Sequence, residues 1–200
     1  MASGTVLKHD GTTTVTVVKD AGHEWVIKRY NTKSPWHAVR RAFRSSRAMI
    51  CWRAAGWLQA AGIDTIRPVA MMEERYLKFL RGRSYLVYEF VAGEPLDRVL
   101  LRQGDNQEQC LERACAIVDK LTAHGIVHGD LKCTNFIVSG DRVVLVDLDS
   151  TRRVTDGGPA TDLDNDRRRF LRNWVDHPQL LKQFERRLAA STAFAQTGSG

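Results

Sequence analysis

The stretch "HGDLKCTN", residues 128–135, constrains this chain more than any other. It sets a histidine, a carboxylate, a lysine and an asparagine close together between an apolar helical pattern and two short apolar runs. Those runs, "FIV" and "RVVLVD", flank "SGD", whose Gly140-Asp141 suits a tight turn. A helix, a polar loop and a hairpin are therefore expected in succession. Asp130 and Asn135 are also ordinary turn residues, because short polar side chains cap and kink the backbone. The choice between a polar turn and a chemical loop depends on what the rest of the chain supplies.

The first thirty residues read as an antiparallel meander. "TVLK" and "TTTVTVV" are β-branched runs around "HDG", and "EWVIKRY" follows the "KDAG" turn. Ser34-Pro35 announces a helix, with Ser as cap and Pro at the first helical position. Apolar residues then recur at helical spacing from Trp36 to Ala61, with "RSSR" at 44–47 as a break and Gly62 as a C-terminal cap. "IRPVAMM" and "SYLVYEFV" read as two more strands, with "EERYLKFLRGR" connecting them. From "AGEP" onward helices dominate, over about 96–102, 107–124 and 162–190. The tail "STAFAQTGSG" is small and polar, and fraying is expected there. The fold class is α+β: a strand-rich lobe over residues 1–91, a helical lobe over 92–190 and a disordered tail over 191–200. The connector between the lobes acts as a hinge, and a cleft between lobes is a common ligand site.

Phosphoryl transfer from a nucleotide needs a cation on the phosphates, oxygen ligands for Mg²⁺, a carboxylate at the acceptor hydroxyl and donors over the phosphates. Each has a candidate here. Lys28, in "WVIKRY", is an inward cation or an edge-strand lysine that blunts aggregation. Asp130 is placed to accept a hydroxyl proton, and Lys132 to face the transferring phosphate. Asn135 offers a neutral oxygen for Mg²⁺. Asp147, at the end of "VVLV", offers a charged one, and Asp149 assists or simply begins the next turn. Gly11, Thr12 and Thr13 bring small backbone and hydroxyl donors to the first hairpin, although any β-turn looks similar. Together they form H-x-D-x-x-x-x-N, a hairpin, a strand leading to Asp, and V-x-K about a hundred residues upstream. That set is protein-kinase-like.

These residues resemble the protein-kinase-like superfamily, and within it the lipopolysaccharide core kinases that phosphorylate heptose or 3-deoxy-octulosonate (Kdo). The segments "VIKRYN", "SRAMICWRAAGWLQAAGI", "LVYEFVAGEPL", "HGDLKCTNFIV", "VVLVDLD" and "RRRFLRNW" carry the resemblance, over about residues 5–188. It implies a bilobal kinase-like fold, with an antiparallel sheet and helix in the N-terminal lobe and a compact helical C-terminal lobe. ATP and Mg²⁺ are the implied cofactors. Asp130 is then the catalytic base, Asn135 and Asp147 ligate Mg²⁺, Lys28 pairs with the ATP phosphates, and Lys132 steadies the moving phosphoryl group. Glu89 and Val91 present backbone groups to adenine, His128 is a packed structural residue, and Asp166 or Asp164 braces the loop. Two departures stand out. The helix glutamate that usually pairs with the strand lysine is missing: Cys51 falls at its place, leaving Glu73 or Glu74 as substitutes. Gly129 follows His128 where a regulated protein kinase has arginine, and only 18 residues separate Asp147 from Asp166, with no A-P-E motif after them. A small-molecule or glycolipid kinase is favoured. A Rio-like serine/threonine kinase, an aminoglycoside-type phosphotransferase and a nucleotide-binding pseudokinase are the alternatives.

Composition bounds the partners. The chain has 200 residues and a formal net charge of +7, which favours phosphate-rich partners, though solvated arginine-rich helices give the same charge. No apolar run is long enough to span a bilayer, and no secretory signal is evident. The four cysteines form no C-x-x-C pair, so reduced thiols in a cytoplasmic protein are expected. The implied acceptor is a lipopolysaccharide core sugar or glycolipid, met at the inner face of the cytoplasmic membrane, and no nucleic acid is expected. The basic segment 37–47, with Arg40, Arg41, Arg44 and Arg47, is a candidate contact for anionic headgroups, or a solvated helical face.

Overall fold

The structure, a computed structural model, describes residues 4–31, 45–76, 80–102, 104, 106–154 and 161–197. The expected helix start at Ser34-Pro35 and the residues Arg40, Arg41 and Arg44 lie outside these. The chain divides into two units. The first takes Met1–Gly56, Ile66–Val91 and Leu148–Ser150; the second takes Trp57–Thr65, Ala92–Asp147 and Thr151–Gly200.

The first unit is an antiparallel sheet of β1 (Gly4–Asp10), β2 (Thr13–Asp20), β3 (His23–Tyr30), β4 (Pro68–Tyr76) and β5 (Leu80–Glu89), in the order β1-β2-β3-β5-β4. The β-branched runs of β2 and β3 form the centre. Lys28 pairs across to Val15 on one side and Leu86 on the other. It therefore stands on an interior strand, which removes the edge-strand reading. The segment 73–83, expected as a connection, is mostly strand: β4 and β5 form one hairpin paired out to Tyr76 and Leu80. Its charged residues suit β4, an edge strand with one side facing away from the ladder.

Helix α1 (Arg47–Ala60) begins at the expected break. Ser46 caps it, its Oγ accepting the Met49 N–H at 3.0 Å. Ala48, Cys51, Ala54, Ala55 and Leu58 are buried at spacings of three and four. The helix ends at Gly62 (φ +65°), where the Ile63 N–H bonds back to the Leu58 carbonyl at 2.9 Å.

In the second unit, a three-stranded sheet takes β6 (Glu94–Pro95), β8 (Phe136–Ser139) and β9 (Arg142–Leu145), while β7 (Ile126–Val127) pairs with β10 (Arg152–Arg153). Around them lie α2 (Leu96–Leu101), α3 (Gln107–Ala123), α4 (Thr161–Arg172) and α5 (Pro178–Thr197). The last helix thus runs past residue 191, where fraying was expected; its alanines favour the helix. Phe170 centres an aromatic core, with Phe136 at 5.2 Å, Phe184 at 4.9 Å and Trp174 at 6.3 Å between ring centroids. Such contacts add about 0.5–1.5 kcal/mol per pair beyond area burial. The core fixes β8 against α4, and so anchors both ends of the polar loop between β7 and β8. Among the described residues no helix is long and apolar enough to cross a membrane.

Candidate active site

The polar loop 128–135 is held by buried groups on both sides. Asp166, on α4, accepts the backbone N–H groups of His128 at 2.6 Å and Gly129 at 3.0 Å. Asp166 is thus the residue that braces the loop, not Asp164. His128 is fully buried. Its Nδ1 accepts the Asp130 N–H at 3.3 Å, which leaves Nε2 to donate to the Val146 carbonyl at 3.0 Å. Burial pushes the imidazole below its usual range, so it stays neutral and structural. Gly129 has φ +82°, a conformation that a side chain would strain.

That scaffold presents Asp130. Lys132 Nζ donates to its Oδ2 at 2.8 Å, and Arg169 Nη1 to its Oδ1 at 2.9 Å and to the Gly129 carbonyl at 3.0 Å. The carboxylate remains 30% exposed, open to an incoming hydroxyl. Partial burial alone would raise its pKa, but the hydrogen bonds and charges of Lys132 and Arg169 outweigh that and lower it. The Asp130 carboxylate is therefore held ionised, with capacity to accept a hydrogen bond.

Asn135 donates its amide N–H to the Asp130 carbonyl at 2.9 Å, which leaves its side-chain oxygen as an acceptor. The Val146 N–H bonds to the Asn135 carbonyl at 2.9 Å, so Asp147 follows directly on from the loop. The strand before Asp147 stops at Leu145, two residues sooner than expected. Val146 leaves the ladder for Asn135, and Asp147 adopts φ +62°, which no strand residue can. Asn135 and Asp147 are hard oxygen donors. Mg²⁺ is commonly held by one or two such residues with phosphate oxygens and water completing its shell, so the pair fits that ion. No cluster of three His, Cys, Asp or Glu able to hold a metal occurs among the described residues, and such a shell does not need one.

In the first unit Lys28 is buried, and its Nζ pairs with Asp149 Oδ1 at 2.9 Å. The same oxygen accepts the Tyr30 hydroxyl at 2.6 Å and the Cys51 thiol at 3.0 Å. Arg47 Nη2 pairs with Oδ2 at 2.8 Å and its Nη1 donates to Thr13 Oγ1 at 3.3 Å. Burial would raise the Asp149 pKa, but the Lys28 charge and the hydrogen bonds from Cys51 and Tyr30 lower it. Burial holds the Tyr30 and Cys51 protons well above their usual range, with Cys51 and then Asp149 adding to it for Tyr30, and Asp149 for Cys51. The proposed substitutes for the helix glutamate are engaged elsewhere. Glu74 accepts the Arg83 N–H at 3.1 Å and the Tyr85 hydroxyl at 3.0 Å, and Glu73 pairs with Arg75 at 2.9 Å. Arg47, a candidate contact for anionic headgroups or a residue of a solvated face, is 40% exposed and pairs with Asp149.

Gly11 and Thr12 form the β1–β2 turn, and Thr13 opens β2 with its side chain buried. A Cβ on Gly11 would meet nothing within 4 Å, so packing does not demand glycine there. Glu89 ends β5 opposite Trp25, and Val91 closes that segment of the first unit. Three contributors were not singled out from the sequence as site residues: Arg169, Arg47 and Tyr30. Arg169 had a signal, since it follows Asp166 by three residues and so shares its helix face.

The model of the lipopolysaccharide kinase (Kdo/WaaP) family matches residues 3–190. The chain belongs to that family. It is a kinase, a phosphotransferase with an alcohol group as acceptor. No curated protein matches its sequence. Among solved structures, "WaaP in complex with acyl carrier protein" is similar over 98% of this chain and 88% of that one, at 18% identity and a TM-score of 0.66. That likeness shows the kinase-like α+β fold.

Proposed function

We propose that this lipopolysaccharide-family kinase transfers the γ-phosphate of Mg²⁺-bound ATP to a hydroxyl of an inner-core sugar, heptose or Kdo. The observation that carries this is Asp130, a half-open carboxylate fixed by Lys132 and Arg169 on a loop locked by Asp166. Asp130 orients the sugar hydroxyl and takes its proton as the oxygen bonds to phosphorus and the bond to the β-γ bridging oxygen breaks. Lys132 neutralises charge on the transferring group. Asn135 and Asp147 hold Mg²⁺, which supplies charge neutralisation across the phosphates. Lys28 holds the nucleotide phosphates, the β1–β2 turn with Gly11, Thr12 and Thr13 covers them, and the backbone at Glu89 and Val91 receives adenine. A lipid-linked acceptor places the reaction in the cytoplasm at the inner face of the membrane, with peripheral contact.

Incubating the protein with Mg²⁺-ATP and purified core glycolipid, followed by mass spectrometry, tests this. Gain of one phosphate on a Kdo- or heptose-containing fragment, lost with Asp130→Asn, is the expected result. ATP binding with no transfer to any glycolipid, and transfer to protein instead, would overturn it.

A further inference from the structure

Helix α1 carries no acidic residue anywhere in its sequence RAMICWRAAGWLQA. The usual arrangement, a helix carboxylate steadying the strand lysine, is therefore impossible here. Asp149 occupies that chemical role. It is buried, and its two oxygens accept Lys28, Tyr30 and Cys51 on one side and Arg47 on the other. Cys51, from the helix, reaches the same oxygen that Lys28 does. The thiol stands where a helix carboxylate would be expected, and Asp149 supplies the carboxylate to Lys28 instead. We propose that Asp149 is the positioning residue that holds Lys28 for the nucleotide phosphates, replacing the helix carboxylate with one from the chain segment just after Asp147.

The consequence is mechanical. In a kinase with a helix carboxylate, the lysine is released when the helix swings away. Here the carboxylate lies two residues beyond the proposed metal ligand Asp147. The lysine tether and the metal ligand then belong to one short piece of chain. Among the described residues, moving α1 withdraws a thiol donor and Arg47 from Asp149 and leaves the Lys28–Asp149 pair in place. Arg47 adds a second cation to Asp149 beside Lys28.

The proposal rests on the kinase reading of Lys28, and the test separates the two. First, acetic anhydride labelling of nucleotide-free protein, read by mass spectrometry, reports on Lys28 alone. In Asp149→Asn the amine loses its counter-charge, and Lys28 should acylate about fivefold faster or more at fixed pH. Second, calorimetry with Mg²⁺-ATP and no acceptor should show about tenfold weaker binding in that variant. Third, the double variant Cys51→Glu/Asp149→Ala returns the carboxylate to the helix. It should restore slow labelling and bring the dissociation constant to within about threefold of the parent. This variant also covers the case in which Asp149→Asn fails to fold. Unchanged labelling and affinity in folded Asp149→Asn, or a folded double variant that binds no better than Asp149→Ala, overturns the proposal. A parent protein that labels slowly at Lys28 yet binds no Mg²⁺-ATP overturns the kinase reading instead, and leaves the Lys28–Asp149 pairing intact.

Discussion

In each unit one carboxylate is paired with two cations, Asp149 in the first and Asp130 in the second, and the two differ chiefly in burial. In the first unit Asp149 is 7% exposed, gripped by Lys28 and Arg47 and saturated by Tyr30 and Cys51. In the second, Asp130 is 30% exposed, with Lys132 and Arg169 on it and solvent beside it. A buried carboxylate with both oxygens engaged cannot exchange partners cheaply, so it fixes geometry. A half-open one can trade a water for a substrate hydroxyl. Under the proposed function, the same ingredients serve as a positioning cluster in one unit and a reacting cluster in the other.

The largest expected effect breaks the comparison on the reactive side. Asp130→Asn keeps the shape and removes proton acceptance. It should lower kcat by about 10²–10⁴-fold, with the unfolding midpoint in urea nearly unchanged. A loss below tenfold would move the proton acceptor elsewhere.

Stability should respond in the opposite order. Asp149→Ala leaves Lys28 and Arg47 without their buried counter-charge, and removing one partner of such a pair costs about 3–5 kcal/mol. Asp130→Ala, at a solvated site, should cost less than about 1 kcal/mol. Urea titrations of the two variants side by side decide this, and equal losses would abolish the distinction.

Acid should separate the clusters as well. His128 is held neutral in the fold, so its unfolded form takes up a proton first as the pH drops below its ordinary value of 6.5. The unfolded state then binds more protons, and stability declines. The Asp149 contribution persists to lower pH. It is fully present above the ordinary carboxyl value of 3.8 and is lost as the pH falls through the depressed folded value. Urea unfolding from pH 8 down to pH 3 should show two successive losses. His128→Gln, which no longer titrates, should remove only the upper one. On the reactive side, Arg169→Ala should raise the Asp130 pKa. Because transfer needs the ionised carboxylate, the acid limb of kcat/KM moves to higher pH, with kcat lowered about tenfold or less.

The legibility of these features in the sequence follows their range. The meander, α1 from the break at residues 44–47 to Gly62, and the loop before a hairpin all rest on local periodicity and turn chemistry, and they were readable. Asp166 came from the family resemblance, with Asp164 as the alternative, and the hydrogen bonds to the His128 and Gly129 N–H groups decide between them. The β4–β5 hairpin was missed because β4 is an edge strand, and its charged residues look like a connector. The Lys28–Asp149 pair was missed because it joins positions 121 residues apart. No local pattern distinguishes the second Asp of "DLD" from a turn residue. Only the absence of any acid in α1 hinted that the partner had to come from elsewhere.

The smallest expected effect tests how much of the buried cluster depends on charge. Cys51 donates to Asp149, but a thiol is a weak donor and the carboxylate keeps Lys28, Tyr30 and Arg47 without it. Cys51→Ala should therefore cost about 1 kcal/mol, mostly from lost packing. Lys28 labelling should stay slow, in contrast to Asp149→Asn. Burial also pushes the Cys51 thiol up, so native protein should resist iodoacetamide at this position and react only on unfolding. Cys133, in the second unit, is raised to about 11 by burial, but at 7% exposure against 1% for Cys51 it should react sooner. If Cys51→Ala instead released Lys28 to fast labelling, the thiol rather than the carboxylate would be organising the cluster. The contrast between the units would then rest on a neutral hydrogen bond and not on buried charge.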